Sequence, residues 1–187
     1  MMRRSKTSIS GFTLIELIIV VVIVAILAAF AAPSYRSLVM GNKVRGVTEE
    51  LVSAIAQARA EAVTRKRPVS LCRSENGTTC SAAGNWRSGF IMYVDEKAET
   101  SEQTEVGAII GRWTNLPFDV DLTLTRGATS VNFVRYTNLG TLARVDNNSA
   151  IFLLNVEGCN GSDNQRRISI PLSGIQSIAK EACPNPE

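Results

Sequence analysis

The chain has 187 residues, enough for one medium-sized domain and a terminal appendage. It contains no histidine, which excludes a Ser-His-Asp triad, a Cys-His pair and any histidine-ligated metal. The formal charge of +3 belongs to Arg3, Arg4 and Lys6; setting these three aside from the 20 basic residues leaves 17 against 17 acidic ones, so the remainder is neutral and the basic balance says nothing of nucleic acid.

Residues 12–32 form an apolar tract broken by one charge, Glu16. As a helix it would be about 31 Å long, matching a hydrocarbon core of about 30 Å. A buried core helix of that length would show a polar side, and this tract is apolar all round. The positive flank before it predicts a cytoplasmic N-terminus and export of everything that follows. A lone carboxylate within a membrane helix costs roughly 2.5–3.5 kcal/mol on insertion scales. Glu16 either reaches water at the membrane face or pairs with a cation of a neighbouring subunit.

Apolar residues Val44, Val47, Leu51, Ile55, Ala58 and Ala62 continue at spacings of three and four, which is one helical face. Lys43, Arg45, Glu49, Glu50, Ser53, Gln57 and Glu61 occupy the other side. One helix over 12–65 would be roughly 80 Å long. Pro33 should kink or locally melt it, and Gly41 and Gly46 each cost about 1 kcal/mol relative to alanine.

After Pro68 the pattern turns to strands. They are expected over 69–73, 89–94, 108–113, 118–124, 130–133, 151–156, 167–170 and 175–179, with an acidic loop over 95–105. Glu75-Asn76-Gly77, Asn138-Leu139-Gly140 and Ser173-Gly174 read as turns. Asp119 and Asp121 share one strand face, where alternating polar residues simply meet water. A long helix followed only by strands predicts an α+β domain, the helix packed on an antiparallel β-sheet.

Four cysteines lie in the exported part, and an even count in an oxidising compartment reads as disulfides. Three pairings exist. Cys72–Cys80 with Cys159–Cys183 is favoured because each closes a local loop; a four-cysteine zinc site lacks any C-x2-C spacing. No metal and no cofactor is expected.

The segment Ser10-Gly11-Phe12-Thr13-Leu14-Ile15-Glu16-Leu17, after a basic stretch, resembles the type IV prepilin signal. The resemblance implies cleavage after Gly11, methylation of the Phe12 amine, and a glutamate as fifth residue of the mature chain, which is Glu16. It favours pairing of Glu16 with a neighbour's terminal amine in a bundle of apolar helices. Pro33, 22 residues into the mature chain, matches a proline typical of pilins and implies a flexible zone. Further on, the chain resembles the GspH/FimT family of minor pilins and pseudopilins. The likeness rests on Gln57-Ala58-Arg59-Ala60-Glu61-Ala62-Val63-Thr64-Arg65, on residues 69–80 with Trp86-Arg87-Ser88-Gly89-Phe90 and Tyr93-Val94-Asp95, and on residues 167–174. Trp86 and Phe90 are expected in the core, and Arg59 and Glu61 on a solvated helix edge.

That family implies a structural subunit, not an enzyme, that helps initiate or cap a type IV pilus or a type II secretion pseudopilus. The division expected is a leader over 1–11, a membrane and assembly segment over 12–35, an amphipathic helix over 36–67 and a periplasmic β-rich domain over 68–187. Implied partners are other major and minor pilins, the prepilin peptidase/N-methyltransferase and the inner-membrane assembly platform. Some members bind DNA through a Gly-Arg-x-Arg motif, where this chain has Gly174-Ile175-Gln176-Ser177. Arg166 and Arg167 nearby, with Arg65-Lys66-Arg67, are the remaining candidates for DNA contact, and two short clusters in a neutral domain offer few phosphate contacts.

Overall fold

The computed structural model describes residues 12–82, 85–97, 100–114, 116, 120–156, 159 and 165–183, apart from the side chains of residues 30–34, 36 and 37. The leader with Gly11, and Asp119, lie outside these residues. The chain divides into two compact units, residues 1–39 and 40–187. One helix, α1 (Leu14–Arg65), supplies most of the first and the spine of the second.

In the first unit every described side chain of residues 12–29 is exposed. The helix runs on through Pro33. Among the described residues no helix is long and apolar enough to cross a membrane. A bilayer needs about 20 residues, and the tract's described side chains end at Ala29.

In the second unit the expected apolar face of α1 is the buried one. Val44, Val47, Leu51, Ile55, Ala58 and Ala62 are all at most 3% exposed, while Arg45, Glu49, Glu50, Ser53 and Gln57 face solvent. The helix stops in a Schellman turn: Lys66 adopts φ 53°, its amide and that of Arg67 donate to Val63 O and Ala62 O, and Pro68 follows.

Among the described residues nine strands follow: β1 (Val69–Arg73), β2 (Gly89–Asp95), β3 (Val106–Thr114), β4 (Val120–Arg126), β5 (Thr129–Ser130), β6 (Phe133–Tyr136), β7 (Ala150–Val156), β8 (Gln165–Ile170) and β9 (Ser177–Glu181). They form two antiparallel sheets, β3-β2-β1-β6 and β5-β4-β7-β8-β9, where the sequence suggested one. The strand expected over 130–133 is split. β5 ends at Ser130 in one sheet and β6 begins at Phe133 in the other, so the crossover falls at residues 131–132. One apolar core contains the α1 stripe, Leu71 and Met92 from the first sheet, and Leu122, Phe152 and Ile168 from the second. Trp86 and Phe90 are each 1% exposed, and Trp86 meets Phe152 edge-on at 5.1 Å. The cysteines stand paired, Cys72 with Cys80 and Cys159 with Cys183, at Cα separations of 5.6 and 5.5 Å.

The first sheet buries one ion pair completely. Asp95 Oδ2 accepts from Arg135 Nε at 2.9 Å, Ser70 Oγ at 2.7 Å and Thr104 Oγ1 at 2.9 Å; Oδ1 accepts from the amides of Lys97 and Glu105 at 3.0 and 3.1 Å. Arg135 in turn donates to the carbonyls of Ser101 and Gln103 at 2.8 and 2.6 Å. The pair therefore ties the acidic loop to the sheet. Burial alone would raise the Asp95 carboxyl, but hydrogen bonds from Ser70, Lys97 and Glu105 and the charge of Arg135 outweigh it and hold the carboxyl below its ordinary value.

Removing one partner of such a pair leaves a bare buried charge, so Arg135→Met is expected to cost about 3–5 kcal/mol in urea unfolding. Because the Asp95 carboxyl is depressed in the folded state, its contribution is present above the ordinary carboxylate range and lost as pH falls through the depressed value. Asp95→Asn should flatten that acid limb of the stability curve. Gly174 has φ +78°, and a Cβ there would lie 2.3 Å from Gly140 O. Gly174→Ala should therefore cost more than about 1 kcal/mol in the same assay.

Candidate functional site: the capped apolar helix

The residues singled out at the N-terminus meet in one local structure. Thr13 precedes the first residue of α1 and stands as its N-cap. Its Oγ1 accepts from the Glu16 amide at 3.3 Å, and Glu16 Oε2 accepts from the Thr13 amide at 3.3 Å and the Thr13 hydroxyl at 3.2 Å. Thr13-Leu14-Ile15-Glu16 is thus a reciprocal capping box. The spacing S/T-x-x-E was readable in the sequence, but the weighing of Glu16 as a membrane charge hid it. The carboxylate also sits in the first helical turn, where the helix dipole favours a negative charge. Phe12, immediately before the cap, is 80% exposed.

The candidate DNA-contact arginines do not form one patch with each other, although Arg166 lines a depression with Arg45. Arg166 and Arg167 are neighbours on β8, opposite Lys180 and Ala179 of β9, so they leave opposite faces of the sheet. Arg167 Nε donates to Glu181 at 2.6 Å, and Arg166 donates to the Gln165 carbonyl at 3.2 Å. Arg65 is paired with Glu61 at 2.6 Å and Arg67 with Glu96.

Among the described residues no other cluster brings together groups for catalysis. The Tyr93 hydroxyl, raised well above its ordinary value chiefly by burial, is bonded to Thr104 within the Asp95 network. A 460 Å3 cavity beside Arg73 and Arg126 is charge-balanced by Glu102 and Asp146. The Arg126 guanidinium is engaged by the carbonyls of Ala143 and Asn148 and lies 3.0 Å from Asp146. Among the described residues no group of three or more acidic or cysteine side chains could hold a metal ion.

Comparison with solved structures finds the type IV minor pilin FimU of Pseudomonas aeruginosa in two crystal forms. One is 22% identical with a TM-score of 0.54, covering 75% of this chain and 89% of FimU. The other is 21% identical with a TM-score of 0.51, covering 72% and 91%. At those identities the likeness is one of fold: the helix and sheets above are similar to those of a pilin. The minor pseudopilin EpsH from the type 2 secretion system of Vibrio cholerae aligns more loosely, at 9% identity and a TM-score of 0.48, covering 74% of this chain and 97% of EpsH. No curated protein matches the chain. The prokaryotic N-terminal methylation motif matches residues 6–32, the span that holds the capping box. The family described as type II transport protein GspH matches residues 47–174, which include the stretches at 57–95 and 167–174 that carried the resemblance. With more than two-thirds of its length inside that match, the chain belongs to the GspH family.

Proposed function

We propose that the chain is a minor pilin-type subunit that helps initiate or cap a type IV pilus. The observation that carries this reading is the pairing of an N-terminal methylation motif with a GspH domain on one helix whose described N-terminal side chains are exposed on every side. Such a surface is stable only in lipid or against other apolar helices. On this reading the prepilin peptidase cuts after Gly11 and methylates Phe12. The helix over 12–35 then holds the subunit in the inner membrane with residues 68–187 in the periplasm. The assembly platform extracts it into a filament of other pilins, with the zone around Pro33 as a point of give. Glu16 exchanges its local partner for the terminal amine of a neighbour, and in an apolar bundle leaving either charge alone would be costly. The family's description favours a second reading, a pseudopilin of type II secretion, which would use the same helix and the same carboxylate.

Mass spectrometry of the mature chain is expected to find Phe12 first, with one added methyl group; a first residue far downstream overturns the proposal. Two variants separate the cap from the charge. Glu16→Gln keeps a capping-box side chain and removes the charge, whereas Glu16→Ala removes both. Both should reach the membrane at normal levels and fall about tenfold in sheared filaments, the scale of a lost 1.4 kcal/mol contact. Normal incorporation of Glu16→Gln would sink the amine-pairing mechanism.

A further inference from the structure

The turn Glu75-Asn76-Gly77 plays no part in the assembly reading. It lies in the loop closed by Cys72–Cys80. Asn76, Thr78 and Thr79 are exposed, while Gly77 is buried with φ 70°, a conformation that suits a residue without Cβ. Asn76 Oδ1 accepts from the amides of Thr78 and Thr79, both at 2.9 Å, and the hydroxyls of Ser74 and Thr79 each lie 3.2 Å from the same oxygen. Asn76 Nδ2 donates to Thr79 Oγ1 at 2.8 Å. The Gly77 amide donates to Ser74 Oγ at 3.0 Å, and Ser74 Oγ donates to the Thr79 carbonyl at 2.6 Å. Arg112 Nε donates to the Gly77 carbonyl at 2.8 Å. Both polar atoms of the Asn76 side chain and both polar atoms of the Gly77 backbone are thus engaged.

An asparagine that accepts from backbone amides is an ordinary way to close a turn. Followed by glycine, it is also a reactive arrangement. The next residue's amide nitrogen can add to the side-chain carbonyl carbon, and a glycine there brings no Cβ to obstruct it. Addition puts negative charge on Oδ1 and makes Nδ2 a leaving group. Each change has a partner in this turn. The amides of Thr78 and Thr79 face the oxygen that gains the charge, as oxyanion donors do. The Thr79 hydroxyl touches the nitrogen that must leave and can protonate it. Ser74 Oγ, accepting from the Gly77 amide, adds to the electron density of the attacking nitrogen. The disulfide and Arg112 hold these groups in place beforehand, so little ordering is left to the transition state. Among the described residues Asn76-Gly77 is the one Asn-Gly pair.

We propose that Asn76 is a self-modifying site, at which the folded turn converts its own asparagine to aspartate and isoaspartate with water as co-reactant. The bond from Gly77 N to Asn76 Cγ forms, the bond from Cγ to Nδ2 breaks, and ammonia leaves with the proton that Gly77 N gives up. Water then opens the resulting succinimide at either carbonyl, giving aspartate or isoaspartate; nothing is oxidised or reduced. The reaction happens once per chain and acts on no bound substrate. Either product places a negative charge where a neutral amide stood. Isoaspartate also adds a methylene to the main chain, which alters the path that brings the Gly77 carbonyl to Arg112. The loop therefore carries a slow, irreversible record of the time since folding, independent of the assembly reading.

The test keeps the full chain, purified in detergent micelles, at neutral pH in water enriched in heavy oxygen. Beside it stands the same chain unfolded in urea, with its cysteines reduced and alkylated. Peptides holding residue 76 are followed by mass spectrometry with electron-transfer fragmentation, which separates isoaspartate from aspartate. The folded chain should convert Asn76 at least about tenfold faster than the unfolded one, with isoaspartate and heavy oxygen in the product. Thr79→Val should slow the folded rate about tenfold, and Thr79→Ser, which keeps the hydroxyl, should restore it. A folded rate equal to or below the unfolded one, aspartate without isoaspartate, or a Thr79→Val rate equal to that of the wild type would each overturn the proposal.

Discussion

Two sheets that share no strand are joined by the apolar stripe of one helix. Val44, Val47, Leu51, Ile55, Ala58 and Ala62 form a single row on α1, and side chains from both sheets close on it. Burying a Leu or Ile contributes about 1.5–3 kcal/mol, so this row is a large part of what a domain of this size can gather. Trp86 adds a second tie, set between Phe90 of one sheet and Phe152 of the other. The helix that organises the domain is the same one that carries the apolar tract at its start.

The stripe was legible because its physics is local: a repeat of three and four residues on a helix has only one way to bury itself. The strand expected over 118–124 was legible for the same kind of reason, an alternation with period two, and β4 is found over Val120–Arg126. β6 was harder. Its sequence, Phe133-Val134-Arg135-Tyr136, carries an arginine at a position that turns out to be 1% exposed, and the carboxylate that makes this tolerable lies 40 residues earlier. No local pattern encodes such a pair. The division into two sheets was hidden likewise, since strand partners depend on register between distant segments and not on propensity.

Around the candidate site the legible and the illegible are divided differently. The motif at residues 10–17 and the lone acid were plain in the chain. What the carboxylate does in the isolated helix was also written there, as Thr13 three residues before Glu16, but it required reading the segment as a helix start and not only as a membrane tract. The basic residues at 65–67 and 166–167 looked like clusters in one dimension. In three dimensions strand alternation separates one pair, and Glu61, Glu96 and Glu181 engage Arg65, Arg67 and Arg167.

The capping box gives the acid a home before any neighbour arrives. The carboxylate is occupied by the start of its own helix, so on the proposed assembly reading docking would be a swap of partners and not the rescue of a bare charge. Swaps of that kind have modest net driving force, because what is gained with the newcomer is partly surrendered at Thr13.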